Sequence, residues 1–248
     1  MLDVIANHRT IRQYLTKEIP CDVLNELLLA ATRASTVGTM QLYSIVVTTD
    51  AQIKEQLSPL HFNQPMVTQA PAVVTFCADV ARFEQWCRLR DANADYQNMV
   101  WYLNSATDAL LASQNFACEA ENQGLGICYL GTTLYNAQEI SEVLELPRGV
   151  IPVMALTVGY PDMEKYPPLT HRLPLEAVVH HQKYQPYSDQ KIEELWHEIE
   201  NSDQTKELLV QNNLPNLAQI FTERRYKSSD NHFFSQKYLD TLKAQGFL

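Results

Sequence analysis

The longest helical pattern in the chain, about residues 96–122, limits the available folds more than any other feature. Met99, Val100, Leu103, Ala106, Leu110, Ser113, Ala117 and Ala120 recur along one side. Trp101, Ala109, Ala112 and Phe116 populate the other. A helix on the surface of a globular domain carries one apolar stripe and a polar back. Here apolar and small residues go most of the way round, which predicts burial on more than one side. In a chain of 248 residues the second side can be covered by a partner subunit. Gly124 and Gly126 stop the helix.

The other elements follow from periodicity. Pro20 and Asp22 open a helix whose buried face is Val23, Leu24, Leu27, Leu28 and Ala31. Residues 33–40, rich in Ser, Thr and Gly, read as a loop. Strands are predicted over 43–49, 71–78, 127–130 and 152–161. The second is almost wholly apolar, so both its faces should be covered. Short helices are expected over 51–57 and 136–145. Strands alternating with helices give a layered α/β or α+β domain.

The texture changes after Pro161. Pro167, Pro168, Pro174 and Pro186 punctuate a segment that reads as an arm over a surface, too proline-rich for a central strand. Ile192, Leu195, Trp196 and Ile199 mark an amphipathic helix, and Phe233, Phe234, Tyr238, Leu239 and Leu242 a last one capped by Gly246. The apolar tail Phe247-Leu248 is expected to dock as an edge strand on a partner.

Charge narrows the function. The net charge is −10, which argues against a nucleic-acid surface because that needs a broad basic face. Against this background, His8-Arg9-Thr10-Ile11-Arg12 is a local reversal. A compact cluster of cations and a hydroxyl suits a phosphate or another anion, since charge-assisted hydrogen bonds are short and strong. The alternative is an ordinary solvated turn. No apolar run reaches the roughly 18 residues of a membrane span. The first residues lack the pattern of a secretion signal, so the cytoplasm is the expected compartment. The five cysteines, Cys21, Cys77, Cys87, Cys118 and Cys128, form no Cys-x-x-Cys pair, which argues against a disulfide framework or a zinc ribbon. Gly124-Leu125-Gly126 lacks the third glycine of a dinucleotide fingerprint and follows a helix instead of a strand. Phosphate-loop, Gly-x-Ser-x-Gly and His-Glu-x-x-His motifs are absent, and His180-His181 are adjacent and so poorly spaced as metal ligands.

What remains is a scattered set: residues 8–12, Thr39-Met40-Gln41, Gln64, Tyr129-Leu130-Gly131-Thr132 and Arg172. Taken with their surroundings they resemble one family. The carrying stretches are HRTIRQYLTKEIP, ATRASTVGTMQLYSIVVTTD, PAVVTFCAD, GLGICYLGTTLYNAQEISEVLELP, PVMALTVGYP and HRLPLEAVVH, in that order between residues 8 and 181. They resemble the FMN-dependent nitroreductase superfamily, and within it the flavin reductase or NADPH nitroreductase branch with a C-terminal extension. The resemblance implies an α+β fold, a mixed central sheet wrapped by helices, in an intertwined homodimer with FMN at the interface. It also implies one domain over 1–248, with 1–161 as the FMN-binding core and 162–248 as arm and helical extension.

By matching position, the resemblance assigns His8, Arg9 and Thr10 to the FMN phosphate and ribityl chain, and Arg12 to the pyrimidine end. Thr39 and Gln41 belong to a loop that hydrogen-bonds the flavin. Gln64 matches a contact to the pyrimidine edge, and Tyr129, Leu130 and Gly131 line one flavin face. Arg172 closes on the phosphate. A lysine usually stands two residues before that arginine; here it is Thr170, with His171 as a possible substitute. Arg224 and Arg225, with Lys227, are candidates for the nicotinamide nucleotide by charge alone, and a solvated face is an equal reading. The implied activity is ping-pong hydride transfer from NADPH or NADH, through FMN, to nitroaromatics, quinones or free flavins. A flavin carrier or sensor without turnover is the alternative, because the same residues would serve it. The cofactor carries the chemistry while protein groups position and tune it, so no catalytic acid–base pair and no metal ligand is assigned.

Overall fold

The computed structural model describes residues 1–248. The chain divides into two compact units, Met1–Pro168 with Phe234–Leu248, and Leu169–Phe233.

The first unit is built on four strands: β1 (Tyr43–Thr48), β2 (Ala72–Asp79), β3 (Gly126–Leu130) and β4 (Val150–Gly159). Their order is β1-β2-β4-β3 and every pairing is antiparallel. A parallel component comes from a bridge between Thr10 and Ile127, outside the named strands. The helices are α1 (Asp3–Ala6), α2 (Cys21–Thr32), α3 (Ala51–Leu60), α4 (Met66–Gln69), α5 (Ala81–Arg88), α6 (Met99–Asn122) and α7 (Ala137–Val143).

Strand β2 is buried at every position, as its apolar composition predicts. Alternation splits its side chains between two cores. Val74, Phe76 and Ala78 face a cluster that includes Leu27 of α2 and Ala109, Ala112 and Phe116 of α6. Val73 faces a second cluster with Leu57 of α3, Val67 of α4 and Ile140 of α7. Helices therefore cover both faces of the central strands.

Helix α6 fits the double-sided pattern only in part. Ala106, Ala109, Ala112, Phe116, Ala117 and Ala120 are buried in the unit's core. Val100, Leu103 and Leu110 are 65%, 55% and 43% exposed. The small residues let the helix lie close on the sheet, while the larger aliphatics face outward and remain uncovered within one chain.

The second unit holds α8 (Asp189–Glu200), α9 (Asp203–Asn212), α10 (Leu217–Gln219) and a π-helical turn, Ile220–Arg225. Helix α8 fits its predicted periodicity, with Ser188 as N-cap accepting from the Lys191 N–H. Helix α11 (Ser228–Gln245) ends the chain, and its residues from Phe234 onward belong to the first unit. The tail corrects an expectation. Phe247 is fully buried in the core of its own chain, its ring 5.4 Å from that of Tyr102, and it forms no strand. An aromatic side chain this large gains more from a preformed apolar pocket than from edge pairing. No helix is long and apolar enough to cross a membrane.

Candidate functional site

The cationic run is built onto the sheet. The Ile11 N–H donates to the Ile127 carbonyl at 2.8 Å, and Leu15 N–H to Tyr160 at 2.9 Å. The Tyr14 hydroxyl bonds the Ile11 carbonyl at 2.7 Å and the Thr157 hydroxyl at 2.8 Å. Burial pushes the Tyr14 phenol far up, so it stays protonated and can donate. The segment thus lies alongside β3, next to the strand that leads to Tyr129 and Leu130. Gly126 makes this possible. A Cβ there would sit 2.5 Å from the Ile11 side chain. The sequence reading has Gly124 and Gly126 stop α6; the structure leaves that role to Gly124, at φ 77°, while Gly126 opens β3 and admits the N-terminal segment.

With Ile11 buried as the anchor, the polar members of the run are distributed around it. His8 Nδ1 meets Glu121 at 2.7 Å, leaving Nε2 for a ligand. Arg9 donates to the Asn7 carbonyl at 2.9 Å and lies 5.1 Å from the centre of the Tyr166 ring. Its Nε is buried without a partner. A cavity of about 360 Å³ opens here, lined by Arg9, Ile11, Glu121, Gly126, Pro161 and Tyr166 among others. Thr10 is half-buried and Arg12 is exposed.

Strand β3 carries Tyr129 and Leu130 directly into a 3-10 turn, Gly131–Leu134. The turn is pinned from below: the Thr133 hydroxyl donates to Leu130 at 2.6 Å and accepts from the Ala155 N–H at 3.1 Å. Gly131 is exposed, and a Cβ built on it would meet no atom within 4 Å. The backbone there faces open space. Tyr129 donates to the Ser113 hydroxyl at 3.3 Å, and burial raises its phenol pKa.

Gln64 joins this turn through Thr132, its Nε2 lying 3.4 Å from the Thr132 hydroxyl. His61 meets the same hydroxyl at 2.8 Å. Sequence reasoning missed His61. It is 1% exposed, and burial lowers its pKa to about 4, so the ring is neutral at pH 7. Nothing in its local sequence sets it apart from a surface histidine. Phe62 and Asn63, between His61 and Gln64, both take positive φ, 55° and 53°. The Phe62 ring lies 6.0 Å from those of Tyr135 and Phe234, an aromatic wall beside the turn.

The structure therefore gathers the run at 8–12, Gln64 and Tyr129 to Gly131 at one edge of the sheet. It does not bring Thr39 and Gln41 to that place. They precede β1, the opposite edge strand, with β2 and β4 between. Three strand spacings are about 14 Å. Arg172 lies in the second unit, exposed, donating to the His171 carbonyl at 3.2 Å. His171 faces Glu198 at 3.7 Å, and its Nε2 is buried without a partner. Arg224 and Arg225 are exposed on the π-helical turn, Arg225 lying 5.4 Å from the centre of the Phe221 ring.

The donor set at the β3 edge fits FMN. Arg9 has an unused buried donor, and Gly131 offers open backbone where a flat ring system could approach. Comparison with known proteins agrees with this chemistry. The chain is 35% identical over 191 residues, 76% of each sequence, to an FMN reductase (NADPH) from Bacillus subtilis. A solved structure from Bacteroides fragilis superposes with a TM-score of 0.97 at 48% identity, covering 100% of both chains. The NADPH:FMN oxidoreductase of Vibrio harveyi, solved in complex with NAD+, superposes with a TM-score of 0.79 at 26% identity, over 97% of this chain and 96% of that one. The sequence profile of the nitroreductase family matches residues 5–160, and the chain belongs to that family.

Proposed function

We propose that the chain is an FMN-dependent oxidoreductase. It takes hydride from NADPH or NADH and delivers two electrons to nitroaromatics, quinones or free flavins. The observation that carries this reading is the open, pinned turn at Gly131 beside a cationic edge. Bound FMN supplies the hydride-accepting and hydride-donating chemistry of the two half-reactions. His8, Arg9 and Thr10 hold its phosphate and ribityl chain, and Arg172 closes on the phosphate. Arg12 places a fixed cation toward the pyrimidine end and favours added negative charge there. Gln64 reads the pyrimidine edge. Tyr129, Leu130 and Gly131 line one face, and the exposed Gly131 backbone presents its N–H without a side chain in the way. Arg224 and Arg225 are the candidate contacts for the nicotinamide nucleotide.

The site is completed by a second copy of the chain. Thr39 and Gln41 lead into β1, the strand at the far edge of the sheet from β3, with β2 and β4 between. A homodimer packed through the outward aliphatics of α6 supplies them from the partner. Residues 1–161 form the flavin core, 162–248 the arm and extension, and the enzyme works in the cytoplasm.

The purified protein should be yellow, with flavin absorbance that bleaches when NADPH or NADH is added anaerobically and returns with a quinone. Bound flavin that never bleaches would make the chain a flavin carrier or sensor. Colourless protein that takes up no FMN would end the proposal.

A further inference from the structure

One loop is held in an unfavourable backbone conformation by a single buried carboxylate. Residues 37–42 form the second part of the connection from α2 to β1 and carry Thr39 and Gln41. Gly38, Thr39 and Gln41 all have positive φ, 54°, 57° and 53°. Glycine accepts this freely, but threonine, branched at Cβ, is a real outlier. Such strain persists only where the surroundings over-determine it, and it concentrates where ligands are clamped.

Asp108 supplies the constraint. It lies on the inner face of α6 and is 0% exposed. One carboxylate oxygen accepts from the Val37 N–H at 2.9 Å and the other from the Leu42 N–H at 3.1 Å. The two contacts bracket the strained residues. On the outer side, Arg82 donates to the carbonyls of Gln41 and Tyr43, the latter at 3.1 Å. Leu42 is fully buried beneath the loop, while Thr39 and Gln41 are exposed. The anchors point inward and the candidate flavin contacts point out.

We propose that Asp108 is a positioning residue for the flavin, fixing the loop so that Thr39 and Gln41 are set before FMN binds. The inference rests on the assignment of those two residues to the flavin. Helix α6 also carries the exposed Leu103, Leu110 and Leu111 of the proposed subunit face. Asp108 therefore ties the loop to the element that meets the partner. The loop's place over the partner's flavin is set by helix packing, not by the loop itself. A carboxylate suits this because both its oxygens accept; an amide would turn one donor against a backbone donor.

The test is FMN release from the diluted holoenzyme, followed by flavin fluorescence, in a double-mutant cycle. Thr39→Ala with Gln41→Ala should raise the dissociation constant about fivefold. Asp108→Asn should raise it by about the same factor, since its effect runs through those two side chains. Added to Asp108→Asn, the Thr39/Gln41 change should have less than about a twofold further effect, because the loop is already displaced. A purely structural aspartate would lower the melting temperature and leave the two effects additive. Additive effects, or an unchanged constant in a folded Asp108→Asn protein, overturn the latch alone. An unchanged constant in the Thr39/Gln41 variant of the wild type overturns the loop's assignment to the flavin as well. Should Asp108→Asn not fold, Arg82→Ala cuts the loop's outer tie, and the same cycle decides.

Discussion

Individual side chains in this protein act through what the fold denies them. His61 is denied water. Burial lowers its pKa from 6.5 to about 4, so the unfolded chain binds the proton more tightly than the folded one. The stability this represents is complete above pH 6.5 and is lost as pH falls toward 4, a span of about 3 kcal/mol. Denaturant titrations at pH 7 and pH 4.5 should show the loss in the wild type. They should show less of it in His61→Gln, which can still bond Thr132 without titrating; equal slopes would rule out His61 as the source. Arg12 is exposed, and its proposed effect is electrostatic. Arg12→Ala should lower the flavin reduction potential, measured by equilibration with a reference dye, and an unaltered potential would remove Arg12 from the pyrimidine end. Arg12 was legible in the sequence because its run opposes the charge of the chain. His61 was not, since its role exists only through Thr132, 71 positions away.

At the scale of elements, the strands and long helices were legible because their side chains face fixed directions. Strand β2 must be apolar to lie between two layers of helix, and it is. The predicted helices over 51–57 and 136–145 are present with shifted ends, at Ala51–Leu60 and Ala137–Val143. Helices α5 and α9 were not predicted. Each is short, eight and ten residues, and buries a single residue, Cys87 and Thr205, so neither offers the long apolar run that marks a core helix. The N-terminal segment depends on contact between elements. It reaches β3 through the space left by Gly126, so Gly126→Ala should destabilise the protein by about 1–3 kcal/mol through overpacking. Chemical unfolding would measure this. Ile11→Ala in the same chain should recover part of it, and no recovery would mean the clash lies elsewhere.

At the scale of the whole molecule, the proposed homodimer completes the site. If Thr39 and Gln41 serve the partner's flavin, a monomer cannot hold FMN well. Leu103→Glu with Leu110→Glu changes two outward residues whose substitution should cost the folded chain little, within about 0.5 kcal/mol each. In sedimentation the variant should run as a monomer, with unchanged far-UV circular dichroism and weakened FMN. A variant that stays dimeric, or a monomer that binds FMN normally, would refute the shared site. The residue pattern by itself determined a layered α/β or α+β class, the apolar central strands and the cationic run, and the resemblance carried by its motifs implied the α+β fold and the family. Each of these rests on periodicity, composition or order along the chain. Only the tertiary structure decided that Phe247 fills its own core, that Gly126 admits Ile11 and that His61 supports the Gly131 turn. It alone set Asp108 against the backbone of residues 37 and 42. Those contacts join positions far apart in sequence, and their energies come from desolvation and close packing, which no local pattern encodes.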